Sequence, residues 1–425
     1  MMKKNNDTDY RPRIIDETIS MMLQTSGGIL IEGCKWCGKT TTAKQHARSL
    51  VEFQDPDRQD EYKGIANTKP SLFLEGEKPR LFDEWQRYPV VWDSIRMDVD
   101  RTRLMGQYIL TGSAKPADDA VMHTGTGRIS RVVMRTMSLY ESGFSDGKVS
   151  LKDVADGKEI SATNKMRLED LANYAVWGGW PVVPSLNDLL RPQLAKNYVN
   201  SVIHEEVQTL DETERNYDKM RAVLKSLSRN VSTPVSISTI EQDTKNQFNT
   251  GVSRVTVSDY MNVLQKLFVV YDIPATTLSF RSKAAIRTTP KRELVDPSIA
   301  VAALDMTAEN LVRDLRTFGF IFECMAMRDL MVYSGYMGEN IQYYRNADGF
   351  EVDAIVNLDD GKWGAVEVKL GTGQIEEAAQ NLLKFRELVT KPSTQPDFLM
   401  VLTGGNYSYK REDGVYVISI GSLKN

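Results

Sequence analysis

The sequence predicts an α/β protein of several domains, and three observations lead to this class. Short apolar runs alternate with helical stretches over residues 1–140, which is typical of a parallel sheet with helices on both faces. A mainly helical region and a winged-helix order of elements (helix, helix, helix, strand) follow. Residues 293–425 alternate again between strand and helix patterns, which predicts a second α/β domain.

Composition narrows the class of protein further. The 425 residues are 41% apolar and carry a net charge of −4, which excludes a disordered or generally polybasic chain. No run approaches 18 apolar residues, and the first residues contain no apolar core of a secretory signal, so we expect no membrane span and a cytoplasmic location. Three cysteines form no disulfide framework, and Cys34 and Cys37 lack the partners of a zinc site.

The boundaries follow the changes in pattern. We predict a nucleotide-binding domain at residues 1–145, a helical region at 146–215, a winged helix at 216–292 and a second α/β domain at 293–425. Within the first domain, strands are expected at residues 29–32, 71–74, 79–84, 108–113 and 129–137. In the last, we expect a helix at 318–330, strands at 351–356, 363–370 and 398–403, and a helix at 374–389.

A phosphate-binding loop lies between the first predicted strand and a predicted helix. Gly33, Gly38, Lys39 and Thr40 match GxxxxGK[ST] in full. In this motif backbone N–H groups surround phosphate oxygens, the lysine neutralises phosphate charge and the hydroxyl binds Mg²⁺. The predicted contacts to ATP therefore include the rest of the loop and the start of the helix: Cys34, Lys35, Trp36, Cys37 and Thr41.

Acidic and small polar residues end two later strands. Asp83 is expected to hold Mg²⁺, and Glu84 to polarise the attacking water. Thr111 and Ser113 would lie beside the γ-phosphate as polar sensors. The alternatives are two solvated acids and an ordinary turn.

An arginine follows in the sequence Gly127-Arg128. Phosphoryl transfer spreads negative charge over the equatorial oxygens, and an arginine can neutralise that charge. We therefore expect Arg128 to reach the γ-phosphate of a neighbouring subunit, which implies a homo-oligomer. The alternative is a surface arginine.

Four segments together resemble a known family. GCKWCGKTTTA, LFDEWQRYP, YILTGSAKP and TGRISRVVMRTMSLYESG, in this order, are similar to AAA-family ATPases of bacteria and archaea with a nuclease-like C-terminal domain of unknown function. The resemblance implies an AAA-type ATPase that uses ATP and Mg²⁺. It also implies the roles given above for Lys39, Thr40, Asp83 and Glu84, a sensor at Thr111 or Ser113, and an arginine role for Arg128.

Carboxylates and a lysine are grouped in the C-terminal domain. Asp353, Glu367 and Lys369 form a D…ExK arrangement on two predicted strands, with Glu323 on the preceding helix. The pattern resembles restriction-type nucleases of the PD-(D/E)xK class, in which two acids hold Mg²⁺ and the lysine and helix glutamate assist. The alternative is a salt-bridged relic without cleavage activity. Glu351 is expected to be a hairpin or surface acid.

The winged-helix segment is basic. Residues 219–292 contain 12 Lys and Arg against 4 Asp and Glu, with a cluster at Arg281, Lys283, Arg287, Lys291 and Arg292. This charge favours contact with duplex DNA phosphates, whereas the alternative is a protein-docking module.

Three functions fit these patterns. The first is an ATPase that couples ATP to the winged helix and the nuclease-like domain, acting on DNA. The second is a signalling or defence switch whose C-terminal domain only docks a partner. The third is a Mg²⁺ nuclease gated by ATP.

Overall fold

The computed structural model describes residues 10–114, 125–206, 216–246, 251–276, 289–336, 340–390 and 394–425. The chain divides into two compact units. The first comprises residues 1–135 with 266–268, and the second comprises residues 136–265 with 269–425. Among the described residues, no helix has the length and apolar character needed to cross a bilayer.

The first unit alternates strands and helices. Its strands are β1 (Gly28–Glu32), β2 (Ser49–Glu52), β3 (Arg80–Asp83), β4 (Tyr108–Gly112) and β5 (Ile129–Val133). Its helices are α1 (Ile15–Thr25), α2 (Lys39–His46), α3 (Gln59–Thr68) and α4 (Val90–Thr102), with 3-10 helices at Pro56–Arg58, Pro70–Leu74 and Trp85–Arg87.

These strands form one parallel sheet in the order β2-β3-β4-β1-β5. The two central strands, β1 and β4, are buried at every residue, which explains their continuous apolar runs. An aromatic core that includes Phe53, Phe82, Trp85 and Trp92 packs beside the sheet. Because all strands run in the same direction, the carboxyl ends of β1, β3 and β4 meet at one edge.

One predicted strand of this sheet was wrong. Residues 70–74 form a 3-10 helix that begins at Pro70, a residue suited to the first turn of a helix because it lacks an N–H donor. The strand beside β3, at one edge of the sheet, is β2 instead, and the sequence did not indicate this strand. Its four residues include Ser49 and Glu52, so they lack a clear apolar pattern.

The second unit contains more strands and helices. Its helices are α5 (Leu151–Ala155), α6 (Leu168–Trp177), α7 (Arg191–Ser201), α8 (Tyr217–Arg229), α9 (Ile237–Asn246), α10 (Arg254–Lys266), α11 (Pro297–Ala303), α12 (Ala308–Arg313), α13 (Leu315–Tyr333) and α14 (Ile375–Leu388). Its strands are β6 (Val149–Ser150), β7 (Ser161–Thr163), β8 (Val270–Ile273), β9 (Ala275–Thr276), β10 (Lys291–Leu294), β11 (Ile341–Arg345), β12 (Glu351–Asn357), β13 (Trp363–Lys369), β14 (Phe398–Thr403), β15 (Tyr407–Lys410), β16 (Tyr416–Ser419) and β17 (Leu423–Lys424).

An eight-stranded mixed sheet runs β7-β15-β16-β14-β13-β12-β11-β9. Its centre confirms the elements predicted for residues 351–403, because β12, β13, α14 and β14 lie within one or two residues of the expected bounds. The described part of residues 146–215 is mainly helical, as expected, but it also contains two short strands that the sequence did not indicate: β7 joins this sheet and β6 pairs with β17. Both strands have only two or three residues, too few to show a strand periodicity.

The segment predicted as a winged helix contains α8, α9 and α10, followed by the antiparallel pair β8 and β10. An isolated bridge joins Thr233, between α8 and α9, to Arg292 on β10. This order of elements is the one that the prediction requires, and the assignment to the winged-helix class stays a prediction. The basic residues Arg281, Lys283 and Arg287 lie outside the described residues.

Candidate functional site

The phosphate-binding loop connects β1 to α2, as predicted. Gly33 and Gly38 have φ values of +150° and +102°, which residues with a side chain rarely adopt. A Cβ atom at Gly33 would lie 2.2 Å from the carbonyl oxygen of Met134, so the chain also passes too close for any side chain. The two glycines of the motif are therefore required by the backbone of this loop.

Lys39, the first residue of α2, is only 5% exposed. Its ammonium group donates hydrogen bonds to the carbonyl oxygens of Gly33 (2.9 Å) and Cys34 (2.8 Å). The charge is thus held inside the loop, beside the N-terminus of α2. Anions bind favourably at such a position because free N–H groups and the helix dipole act together.

A chain of hydroxyl and carboxyl groups joins the ends of three elements. The Asp83 oxygen Oδ1 accepts hydrogen bonds from the Thr40 and Thr111 hydroxyls, each at 2.6 Å. Thr40 lies in the first turn of α2, Asp83 ends β3, and Thr111 lies near the end of β4. The parallel sheet therefore brings together three of the predicted site residues. Their oxygen atoms are the hard ligands that suit Mg²⁺.

Glu84 follows Asp83 with a left-handed backbone, at φ +55°. Its Oε2 atom accepts hydrogen bonds from the Ser113 hydroxyl (2.9 Å) and from the Gln86 amide. A residue without glycine's freedom at this φ is strained, and such strain concentrates at functional sites. Glu84 and Ser113, two of the predicted site residues, thus meet beside the carboxyl ends of the strands, a contact that the sequence analysis did not predict.

The remaining loop residues differ in exposure. Lys35 and Trp36 are exposed, Thr41 is exposed on the first turn of α2, and Cys34 and Cys37 are fully buried. The side-chain hydrogen bond with Cys34 lowers the pKa of Cys37 to about 6, and the charge of Lys39 acts in the same direction while burial opposes both. A thiolate at neutral pH is the reactive form of a cysteine.

The segment before α1 also contacts the loop, which the sequence did not indicate. Arg13 is 5% exposed and donates hydrogen bonds to the carbonyl oxygens of Cys37 and Arg135, both at 2.9 Å. Asp16 accepts hydrogen bonds from Tyr10, and its Oδ1 lies 3.0 Å from Nε2 of His46 at the end of α2. The partners are 24 or more residues apart, so no local motif could have revealed Arg13.

Arg128 lies at the opposite end of the strands from the loop. It immediately precedes β5, which runs parallel to β1 in a register that pairs Ile129 with Gly28. Arg128 therefore lies at the amino ends of the strands, whereas the loop follows their carboxyl ends. Its guanidinium pairs with Asp100 at 2.7 Å, and the side chain is 46% exposed. The structure does not bring Arg128 to the loop of its own chain, and its role towards a neighbouring subunit stays a prediction.

The D…ExK residues of the second unit come together. The Lys369 ammonium lies 3.1 Å from Oδ2 of Asp353 and 2.7 Å from Oε2 of Glu367. Asp353 lies on β12, and both Glu367 and Lys369 lie on the neighbouring strand β13. Glu323, on α13, pairs with a second lysine, which the sequence analysis had assigned to the basic cluster of the winged-helix segment.

That second lysine is Lys291, predicted above as part of a DNA-binding cluster. Its side chain is 2% exposed, and its ammonium lies 2.9 Å from Glu323, 2.9 Å from Glu351 and 3.5 Å from Asp353. The prediction of a surface lysine was wrong because β10 directs this side chain into the acidic cluster. Glu351 lies in the hairpin of β11 and β12, as predicted, and its carboxylate also pairs with the Lys291 ammonium.

Arg292, the other described member of the predicted basic cluster, pairs with Asp272 on β8. Its side chain is 13% exposed, so little of its charge faces solvent.

Burial and mutual charge shift the pKa values of the C-terminal cluster. Burial opposes ionisation of Asp353, but the ammonium groups of Lys291 and Lys369 outweigh it and hold its pKa well below the usual range. Burial and then the Asp353 charge raise the pKa of Glu367 to about 8. Burial disfavours the charge on Lys291, yet its three carboxylate partners raise its pKa well above the usual value.

The two sites differ in their fit to a metal ion. At the loop, the Thr40 hydroxyl and the Asp83 carboxylate lie 2.6 Å apart, and oxygen ligands of these two kinds suit Mg²⁺ bound with a nucleotide. In the second unit, lysine ammonium groups form ion pairs with the carboxyl oxygen atoms of Asp353 and Glu367, where a metal ion would have to bind. Within the described part of the chain, no group of three His, Cys, Asp or Glu side chains is arranged to hold a metal ion.

A loop of this kind between β1 and α2, with an acid ending β3, defines a P-loop nucleotide-binding domain. Residues 26–143 match the family model described as an AAA domain, which supports an AAA-type ATPase fold for the first unit. Residues 168–310 and 318–423 match two domains of unknown function, DUF8612 and DUF4143. No curated protein matches the chain.

Several solved structures resemble the chain at low identity. A Walker-type ATPase of Pyrococcus abyssi is 13% identical, with 71% of this chain and 98% of that chain covered and a TM-score of 0.43. The ORC2 protein of Aeropyrum pernix, in ADPNP and ADP complexes, is 11% identical, with 74% and 99% covered and a TM-score of 0.36. The replication initiator DnaA bound to AMPPCP and single-stranded DNA is 15% identical, with 62% and 89% covered and a TM-score of 0.28.

Proposed function

We propose that the first unit binds ATP with Mg²⁺ and hydrolyses it at the loop between β1 and α2. The observation that carries this proposal is the meeting of Thr40, Asp83 and Thr111 through 2.6 Å hydrogen bonds, in the same turn of α2 as Lys39. The match of residues 26–143 to the AAA domain supports the same reading.

Each residue has a distinct role in this proposal. The loop N–H groups bind the phosphates, and the Lys39 ammonium exchanges its bonds to two loop carbonyls for bonds to phosphate oxygens. Thr40 and Asp83 would hold Mg²⁺, which when bound neutralises charge on the phosphate oxygens. Glu84 orients and polarises the attacking water, while Ser113 holds the Glu84 carboxylate in place.

We further propose that the protein binds duplex DNA through the segment predicted as a winged helix and couples ATP hydrolysis to its action on that DNA. Three helices followed by an antiparallel strand pair, together with the positive charge of residues 219–292, support this. The second candidate is a switch that holds ATP while the C-terminal domain docks a partner. The ion pairs of Lys291 and Arg292 favour this candidate, because they remove two cations from the surface.

Two loop variants test hydrolysis. Lys39→Ala should lower ATP affinity by about 10- to 100-fold, because a charged hydrogen bond to phosphate is lost. Glu84→Gln should keep ATP affinity and lower kcat by about 100-fold, since only water activation is removed. Binding is measured by calorimetry and turnover by phosphate release.

The matched control is Lys44→Ala, which removes the same charge from an exposed position on α2. It should leave binding and turnover near wild type, and circular dichroism should show all three variants folded. Unchanged turnover in folded Lys39→Ala would overturn the site. Loss of ATP binding in Glu84→Gln would overturn the water-activating role.

A further inference from the structure

A buried lysine lies at the centre of the acidic cluster in the second unit. Lys291 extends from β10 and has three carboxylate partners, Glu323 on α13 and Glu351 and Asp353 on β12. The ammonium donates hydrogen bonds to Glu323 (2.9 Å) and Asp353 (3.5 Å) and forms an ion pair with Glu351 (2.9 Å). The ring of Tyr343 lies 5.4 Å from the same nitrogen, within the range of a cation–π contact.

The carboxylates named by the D…ExK pattern have no oxygen left over. Asp353 Oδ1 faces Lys291, and its Oδ2 accepts hydrogen bonds from the Val368 N–H (2.9 Å) and from Lys369 (3.1 Å). Glu367 Oε2 accepts from Lys369 at 2.7 Å, and its Oε1 accepts from the Asn381 amide. A divalent ion would have to displace these donors to gain its ligands.

Solvent ions are not kept away from this cluster by burial alone. A groove of about 450 Å³ opens onto Glu367 and Lys369, between β13 and α14. Ions from solvent therefore reach the edge of the cluster. The obstacle is charge, because a divalent ion at the Asp353 carboxylate would lie a few ångströms from the buried ammonium of Lys291 and the partly exposed ammonium of Lys369.

We infer that Lys291 is a built-in cation that takes the place of a metal ion in this cluster. Asp353 and Glu367, with their lysine partners, then form a structural network of ion pairs and hydrogen bonds that joins β10, α13, β12 and β13, and the folded chain holds no divalent metal there. The nuclease reading of the D…ExK pattern is thereby replaced by a docking or structural role for this domain. This inference concerns the second unit and is independent of ATP hydrolysis at the loop.

Removing the lysine should create a metal site. All measurements use the full chain without nucleotide in an Asp83→Asn background, which removes the proposed metal ligand of the loop. The chain with Lys291 intact should show no Mn²⁺-dependent change in Tm and no Mn²⁺ binding by calorimetry. Lys291→Met should melt lower without metal, because buried carboxylates lose their partner. It should also show a Mn²⁺-dependent rise in Tm and calorimetric Mn²⁺ binding, both of which are absent when Lys291 is intact.

Lys384→Met is the matched control, since Lys384 lines the same groove without contacting these carboxylates. It should gain no Mn²⁺ binding. If Lys291→Met does not fold, Lys291→Met with Glu351→Gln removes one charge of each sign and takes its place in the same assay.

Two results would overturn the inference. One is Mn²⁺ binding to the chain with Lys291 intact that disappears in Asp353→Asn. The other is a folded Lys291→Met protein, or its Glu351→Gln partner variant, that binds no more Mn²⁺ than the control.

Discussion

Glu293 is a buried acid near the centre of the second unit. Its side chain is 1% exposed and accepts a hydrogen bond from the Ser232 hydroxyl at 3.1 Å. Burial raises the pKa of Glu293 to about 8, the negative charge of Glu323 adds to the shift, and Lys291 and Ser232 oppose it. The folded protein therefore keeps this carboxyl protonated at pH values where the unfolded chain has lost the proton.

This difference predicts a pH-dependent stability. The folded state binds the extra proton between the usual glutamate pKa and about 8, so stability from Glu293 is complete at low pH and is lost as pH rises through that range. The loss should reach about 5 kcal/mol at most. Glu293→Gln is neutral at every pH, so urea unfolding at pH 6 and pH 8.5 should show a smaller decrease than in wild type. Equal decreases in both proteins would contradict the assignment.

Residues at the loop were predictable because their signals are local. The GxxxxGK[ST] motif fixes Lys39 and Thr40, and a strand followed by an acid indicates Asp83. Lys291 was misread because its partners lie 32 to 62 residues further along the chain. A lysine in a basic stretch gives no sign that the fold will bury it, since burial depends on distant carboxylates.

At the scale of elements, a buried ion cluster joins α11, α13 and the turn after α6. Arg328 pairs with Asp296 at 3.2 Å and with Asp329 at 2.7 Å, and all three side chains are at most 2% exposed. Asp296 also accepts the Gly179 N–H at 2.8 Å. A Cβ at Gly179 would lie 2.0 Å from the Met137 carbonyl oxygen, which explains the glycine at this position of the turn.

Removing one partner of this cluster should be costly. Arg328→Met leaves two buried carboxylates uncompensated, and we expect a loss of about 3–5 kcal/mol in the free energy of unfolding. Arg313→Met is the control, because Arg313 pairs with Glu309 on the surface of α12 and should change stability by about 0.5 kcal/mol or less. Urea titrations of both variants measure the difference, and similar values would contradict the structural role.

The elements themselves were predicted according to their length and apolar content. β14 is apolar at five of its six positions and was placed at its observed bounds. In contrast, β6 and β7 have two and three residues, and their strand conformation depends on pairing with β17 and β15. Tertiary pairing decides such segments, so no window of local sequence reveals them.

At the scale of the whole molecule, the charges are segregated. Residues 219–292 hold 12 Lys and Arg against 4 Asp and Glu, although the chain as a whole is −4. If this segment binds duplex DNA, each phosphate contact changes the slope of log affinity against log salt by about −0.9. Replacing Arg281, Lys283 and Arg287 by alanine should therefore flatten the slope by up to about three such contacts.

The salt dependence is measured by fluorescence anisotropy with labelled duplex DNA. The control replaces three exposed cations elsewhere in the chain, Lys63, Arg101 and Lys152, by alanine. This control should keep the wild-type slope. Affinity that does not change with salt, or equal slopes in all three proteins, would favour a protein-docking role.

The pairing of β7 with β15 has a consequence for biosynthesis. Every strand of the sheet in the first unit lies between residues 28 and 133, so all five emerge from the ribosome within one short stretch of synthesis. Thr163, however, pairs with Tyr407. At about 5–20 residues per second, roughly 240 further residues take on the order of 10–50 s to translate. During that interval the nascent β7 segment has no partner strand, and chaperones have time to bind it before the second unit closes.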